Sequence, residues 1–199
     1  MKFFQSPETT REEILAAAYR ALCTHGYADL TMERIGAKFD KSVSLVYHHY
    51  DGKDDLLLEC LEFMLEEYRA ETESGPPEDP RQAIEEFCDQ LLLSDAPPEA
   101  QQFVHALIEL RGQAPHNDAY RDYFTRSDRV FQARIERIIE TGIEAGVFQD
   151  VDPERTAKMI QTIFLGGLFQ YATANHDEWL PAFRDELQAY LERDLYTDG

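Results

Sequence analysis

The most informative chemistry of this chain lies between Gly26 and Leu57, where hydroxyl, phenol, imidazole and ammonium groups follow two short helical patterns. All of these groups donate hydrogen bonds to phosphate oxygens or to the edges of nucleic-acid bases. We therefore predict a nucleic-acid contact surface here. The candidate contact residues are Thr31, Lys41, Ser42, Val43, Ser44, Tyr47, His48 and Lys53.

The two helical patterns predict how these side chains are positioned. Thr31 can cap a first short helix, in which Met32, Ile35 and Phe39 form one apolar stripe. Ser42 can cap a second helix of similar length. Two short helices joined by a tight turn are typical of a helix-turn-helix, which lays its second helix in the major groove of DNA.

Some of these residues also have purely structural interpretations. The Tyr47 ring could be half-buried against Ile35, although we favour a DNA contact. We expect His49 to point away from His48 and to pack inside. Because adjacent residues of a helix face different directions, the two histidines are poorly placed to share an ion, and we predict no metal site.

Catalytic motifs are lacking in the sequence. It contains no GxSxG, no HExxH and no glycine-rich phosphate loop. Paired acids such as Glu85–Glu86 fit a solvated helix face. We therefore expect a protein that is not an enzyme and that needs no cofactor.

Charge is distributed unevenly along the 199 residues, whose formal net charge is −20. Residues 1–53 hold seven basic and seven acidic groups, whereas residues 54–199 hold 12 basic and 32 acidic groups. This asymmetry suits a protein whose N-terminal part, residues 1–53 (the head), binds a polyanion, while residues 54–199 form an acidic body. The acids could simply coat solvent-facing helices. We favour a halophilic host, because molar salt screens repulsion between surface acids. The content of five lysines against fourteen arginines fits such a host as well.

Length, hydropathy and cysteine content limit the class of protein. The 43% of hydrophobic residues indicates a globular chain of one or two domains. No apolar run is long enough to span a membrane, and no secretory signal begins the chain. Cys23, Cys60 and Cys88 form neither a CxxC pair nor a disulfide framework, so we expect a cytoplasmic protein.

Apolar residues recur at helical spacing throughout, and no segment alternates with period two. The predicted fold is all-α with about nine helices. Besides the two short ones they cover residues 7–25, 53–72, 80–94, 98–113, 117–145, 153–175 and 177–196. The predicted domains are a helix-turn-helix DNA-binding domain over residues 1–53 and a helical ligand-binding and dimerisation domain over residues 54–199.

The chain resembles the TetR family of transcriptional regulators from Arg11 to about Leu57. The resemblance rests on Gly26–Tyr27, Thr31, Ile35–Gly36, and the run from Val46 to Tyr50 followed by Lys53 and Leu56. In place of the family's usual glycine-valine-serine turn this chain has Asp40-Lys41-Ser42.

The resemblance implies a role for each candidate contact. Tyr47 and Lys53 match residues that bind the DNA backbone, and Thr31 joins them. Lys41 could extend its ammonium to a further phosphate. Ser42, Val43, Ser44 and His48 are expected to face the bases, with apolar contacts to thymine methyl groups.

The resemblance further implies an inducer cavity and a dimer interface in the body. The predicted ligand-binding residues are Phe63, Phe87, Leu91, Phe103, Leu107, Tyr123, Phe124, Phe131 and Phe164, although core packing is the alternative for each. The predicted dimer residues are Ile160, Phe164, Gly167, Leu168, Tyr171, Leu187 and Leu191, with close packing inside the subunit as the alternative. Acids such as Glu86, Glu109 or Asp122 at the rim would favour a cationic ligand.

These expectations combine into one functional hypothesis and one rival. The hypothesis is a homodimeric repressor that binds a palindromic operator in double-stranded DNA and is released by a small-molecule inducer. The rival is a helical small-molecule-binding or protein-interaction module that has lost strong DNA binding.

Overall fold

A computed structural model describes residue 4 and residues 6–39, 43–72, 75–89, 98–175 and 179–197. Within these ranges the chain forms nine α-helices and no strand, apart from an isolated antiparallel bridge between Phe148 and Tyr196. The prediction of an all-α fold with about nine helices is confirmed.

The helices lie where the apolar periodicity predicts them, with ends that differ by a few residues; the predicted ends over residues 90–94 and 177–178 lie outside the described residues. In chain order they are α1 Thr10–His25, α2 Met32–Gly36, α3 Val43–His49, α4 Lys53–Thr72, α5 Pro80–Asp89, α6 Pro98–Arg111, α7 Asp118–Glu144, α8 Pro153–Thr173 and α9 Leu180–Asp194. None of these helices is both long enough and apolar enough to cross a membrane.

Local capping contacts explain several helix ends. Thr9 begins α1 by accepting a hydrogen bond from the Glu12 amide at 3.2 Å, and the Glu12 carboxylate accepts one from the Glu8 amide at 2.8 Å. This arrangement is a variant of the capping box, in which the Glu12 carboxylate accepts from the residue before the N-cap. Gly26 ends α1 with φ of 68°, a left-handed conformation that side chains disfavour. Asp152 caps α8 through the Arg155 amide at 3.1 Å.

Packing divides the chain into two compact units, Met1–Glu71 with Pro97–Ser127 and Thr72–Ala96 with Asp128–Gly199. The first unit therefore contains α1 to α4, α6 and the start of α7. Its centre is the fully buried face of α1, including Ile14, Leu15 and Ala18, and the buried Leu56 and Leu57 of α4. The predicted boundary at residues 53–54 stays a prediction, because it divides the chain by function and these units divide it by contacts.

The second unit packs α5, the rest of α7, α8 and α9 around one apolar core. Residues of all four helices contribute, among them Phe87, Ile139, Ile160 and Leu191. Fully burying an aliphatic or aromatic side chain of this size stabilises a fold by about 1.5–3 kcal/mol. The second unit therefore has a hydrophobic core of its own.

Candidate nucleic-acid interface

The predicted helix-turn-helix is formed by α2 and α3 in the first unit. The Thr31 hydroxyl oxygen caps α2 by accepting a hydrogen bond from the Arg34 amide at 3.3 Å, as the sequence predicts. Ile35 of α2 and Val46 of α3 are fully buried. Because these two residues fix the inner faces, α3 presents its opposite face outward.

The outward face of α3 carries most of the predicted contacts that the structure describes. Ser44, Tyr47 and His48 are exposed there, as is Thr31 at the start of α2. Lys41 and Ser42 lie outside the described residues, and of Val43 only the backbone is described, as the first residue of α3.

The prediction that His49 packs inside is wrong, because its side chain is exposed. Its imidazole ring lies edge-on to that of His48, with ring centroids 5.5 Å apart. The inward position at this end of α3 is taken by the next residue, Tyr50, which is 7% exposed.

Tyr47 makes the most informative contact of this surface. Its ring is 50% exposed, and its hydroxyl donates to Glu33 Oε1 at 3.0 Å. The pKa of the Glu33 carboxyl is lowered by its own backbone N–H, then by the neighbouring Thr31 and Tyr47 hydroxyls. This carboxylate thus accepts the hydrogen of the Tyr47 hydroxyl, which the sequence assigns to a DNA phosphate.

Lys53, a predicted phosphate contact, begins α4 and also has a partner within the protein. Its ammonium donates to the Tyr27 carbonyl oxygen at 2.9 Å and lies 4.3 Å from the centroid of the Tyr27 ring. Through these contacts Lys53 attaches α4 to the turn between α1 and α2. The hydrogen bond to the carbonyl uses one of the three donors of the ammonium.

Two carboxylates hold the same turn: Asp54, which sequence reasoning missed, and Glu109, which it named only as an acid at the rim of a ligand pocket. Asp54 Oδ1 accepts hydrogen bonds from the hydroxyls of Tyr27 and Tyr120, each at 3.0 Å. Glu109 of α6 accepts hydrogen bonds from the backbone amides of Tyr27 at 2.6 Å and Ala28 at 3.3 Å. Residues so distant in sequence give no local spacing signal, so only the packing of the first unit reveals this arrangement.

We expect Asp54→Asn to lower the free energy of unfolding by about 1–2 kcal/mol, because two hydroxyls lose a charged acceptor. Burial, followed by the hydrogen bond to Asp54, raises the pKa of Tyr27 from 10.0 to about 12. The part of this stabilisation that comes from Tyr27 is therefore complete below pH 10.0 and is lost as the pH rises through about 12.

In the variant, tyrosinate absorbance should show Tyr27 titrating closer to 10.0, its ordinary pKa. The matched control is Asp55→Asn, which neutralises the exposed neighbour of Asp54. Equal thermal unfolding and equal tyrosine titration in the two variants would contradict the role of Asp54.

The predicted ligand-binding residues of the first unit are aromatic or large and apolar. Phe63 and Phe103 belong to a row of rings in which Phe4 contacts Phe63 at 5.1 Å and Tyr19 at 5.6 Å, and Tyr19 contacts Phe103 at 5.2 Å. Leu107 is half-buried, whereas Tyr123 and Phe124 are buried. The Arg111 guanidinium already lies over the Phe124 ring at 4.9 Å.

The predicted ligand-binding residues of the second unit contribute to its core. Phe87 is 1% exposed and contacts Phe164 at a ring-centroid distance of 5.0 Å, and Phe131 packs against the same core. Leu91 lies outside the described residues. The assignment of these rings to a ligand stays a prediction, and the contacts now seen are with the protein itself.

Most of the predicted dimer residues on α8 and α9 are packed inside the subunit. Burial within the subunit covers Ile160, Gly167, Leu168, Tyr171, Leu187 and Leu191, and Phe164 is partly buried. The opposite face of α8 carries Met159 and Phe169, which are 52% and 56% exposed. Side chains that the chain itself already covers offer little surface to a second copy, and the exposed apolar area of α8 lies on its opposite face.

The fold and the α2–α3 surface define a helix-turn-helix DNA-binding regulator with a helical body. Two family models agree with this class and together match most of the chain. Residues 14–60 match the N-terminal model of the bacterial regulatory proteins of the tetR family, and residues 80–195 match the C-terminal model of BetI-type transcriptional repressors. The chain belongs to the TetR family of transcriptional regulators, which bind DNA and are not enzymes.

Three relatives illustrate the similarity. A TetR transcription regulator from Haloarcula marismortui is 36% identical, with a TM-score of 0.80 over 93% of this chain and 97% of that one. A transcriptional regulator from Saccharomonospora viridis in complex with choline is 23% identical, with a TM-score of 0.74 over 94% and 98% of the two chains. The transcriptional repressor AcnR of Corynebacterium glutamicum is 23% identical over 94% of this chain and 95% of its own length.

Proposed function

We propose that this regulator is a repressor that binds a palindromic operator as a homodimer and is released by a small ligand. The observation that supports this most is the exposed face of α3, where Ser44, Tyr47 and His48 point outward while Val46 anchors the helix from within. A short helix held in this way can enter a major groove without rearrangement of the head.

The proposed contacts fall into two groups. Thr31, Tyr47 and Lys53 bind phosphates, together with Lys41, and thereby fix the register of the head on the duplex. The base edges are contacted by Ser42, Val43, Ser44 and His48.

The proposed dimer uses the exposed face of α8. Met159, Thr162, Gly166, Phe169 and Thr173 recur there every three or four residues, and all are exposed. A Cβ atom added at Gly166 would have no atom within 4 Å. Two large apolar side chains around an open glycine suit helix-on-helix packing across a two-fold axis.

We further propose a quaternary ammonium compound as the class of ligand. The choline complex of the Saccharomonospora viridis relative supports this class. The row of rings formed by Phe4, Tyr19, Phe63 and Phe103 offers the aromatic surface that binds such cations.

The acidic surface and the relative from Haloarcula marismortui also support a halophilic host, and we propose a cytoplasmic location. In such a host the attraction between the protein and the DNA phosphates contributes little to operator affinity, because counterion release adds less to affinity as the salt concentration rises. Operator binding there depends more on hydrogen bonds, apolar contacts and shape.

The experiment is a footprint of the purified protein on DNA upstream of its own gene, from tenth-molar to molar potassium chloride. A protected inverted repeat that persists at high salt is the expected result, and added choline should remove the protection. Protection that is absent at every salt concentration, with a folded dimer, would instead favour a ligand-binding or partner-binding module. Protection that choline leaves intact would reject only the class of ligand.

We expect Tyr47→Phe to weaken binding to the protected duplex by about 10- to 100-fold, because each head loses one hydrogen bond to an anionic phosphate. Thermal stability and dimerisation should change little, since the Tyr47 ring is half exposed. Tyr190→Phe makes the same chemical change on α9 and serves as control. Unchanged affinity in Tyr47→Phe would remove this residue from the interface.

A further inference from the structure

The carboxylate of Glu33 lies within the phosphate-binding surface that we propose. Its Oε1 accepts a hydrogen bond from the Tyr47 hydroxyl at 3.0 Å. Among the described residues no cation forms an ion pair with Glu33. The described part of this surface therefore places a carboxylate where the DNA backbone is expected.

The chemistry of a hydroxyl turns this contact into a competition. A hydroxyl carries one hydrogen, so it can donate to only one acceptor at a time. While Tyr47 donates to Glu33, it cannot donate to a phosphate. A carboxylate and a phosphodiester are both anionic oxygen acceptors, and either can therefore accept the hydrogen of this hydroxyl.

Building on the proposed function, we propose that Glu33 is an internal competitor of the operator phosphate. In the free protein its carboxylate accepts the hydroxyl hydrogen of Tyr47, and a phosphate of the bound duplex replaces it. Glu33 thereby lowers operator affinity and keeps the Tyr47 hydroxyl oriented in the absence of DNA.

The test is Glu33→Gln, which keeps the shape of the side chain and removes its charge. We expect binding of the protected duplex to tighten by about 3- to 10-fold in tenth-molar potassium chloride, because a neutral amide competes less strongly for the Tyr47 hydroxyl than a carboxylate does. Glu67→Gln removes the same charge from an exposed position on α4 and should leave affinity unchanged.

The Tyr47→Phe background separates competition from simple charge repulsion. If Glu33 acts by holding the Tyr47 hydroxyl, the gain from Glu33→Gln should fall by at least half when that hydroxyl is absent. An equal gain in both backgrounds, or no gain in the wild-type background, would overturn the proposal. If Tyr47→Phe alone leaves binding unchanged, the phosphate assignment of the proposed function fails, and the proposal that rests on it fails too.

Folding controls accompany these measurements. Glu33→Gln removes a charged acceptor from one exposed hydroxyl, so thermal stability should stay equal or fall slightly while affinity rises. A loss of both stability and affinity would identify Glu33 as a structural residue and overturn the proposal.

Discussion

Gly142→Ala is expected to lower the free energy of unfolding by about 3 kcal/mol, the largest effect we predict for a single methyl group in this protein. A Cβ atom at this position on α7 would lie closer than 3.0 Å to three ring carbons of Phe148. The ring has little freedom to move, because Phe148 is 2% exposed and stacks on Tyr196 at 5.6 Å. Tyr196 is held in turn by a hydrogen bond to Glu85 at 3.1 Å.

Urea unfolding followed by circular dichroism, at one fixed protein concentration, measures this effect. Phe148→Leu removes part of the ring and provides the matched partner for a double-mutant cycle. If the clash is the cause, the double variant should lose clearly less stability than the sum of the two single losses. Strict additivity, or a stable Gly142→Ala variant, would contradict the close approach of α7 to Phe148.

Met159→Glu or Phe169→Glu is expected to shift the protein from dimer to monomer, with at least a 100-fold rise in the dimer dissociation constant. A two-fold interface would bury two unpaired carboxylates, at a cost of about 3 kcal/mol or more. Operator affinity should fall by about 100-fold as well, because each half-site is then bound by a separate head. Sedimentation and duplex titration measure the two effects.

Ala133→Glu is the control, since it adds the same charge at an exposed position of α7 in the same unit. It should leave both the dimer and operator binding unchanged. If the α8 variants remain dimeric, the exposed face of Met159 and Phe169 is not the interface, and another surface must join the subunits.

Local sequence determines the positions of the helices and of the helix-turn-helix formed by α2 and α3. Thr31 caps α2 and Gly26 ends α1 because capping depends on residues within one turn of the chain. The apolar periodicity predicts the nine helices for a similar reason, since side chains three and four residues apart share one face. The resemblance to the TetR family at Tyr47 and Lys53 further predicts that this helix-turn-helix binds DNA.

Tertiary structure decided which face of each helix is buried and which partners the polar groups have. Apolar periodicity shows that α8 has residues to bury, but it cannot tell whether the same subunit or a second one covers them. The core of the second unit covers Ile160 and Leu168 and leaves Met159 exposed. The contacts of Asp54 with Tyr27 and Tyr120 join residues far apart in sequence, so they depend on how helices pack. Local sequence therefore determined the helices and the class of protein, whereas long-range packing determined which side chains remain available to DNA, ligand or partner.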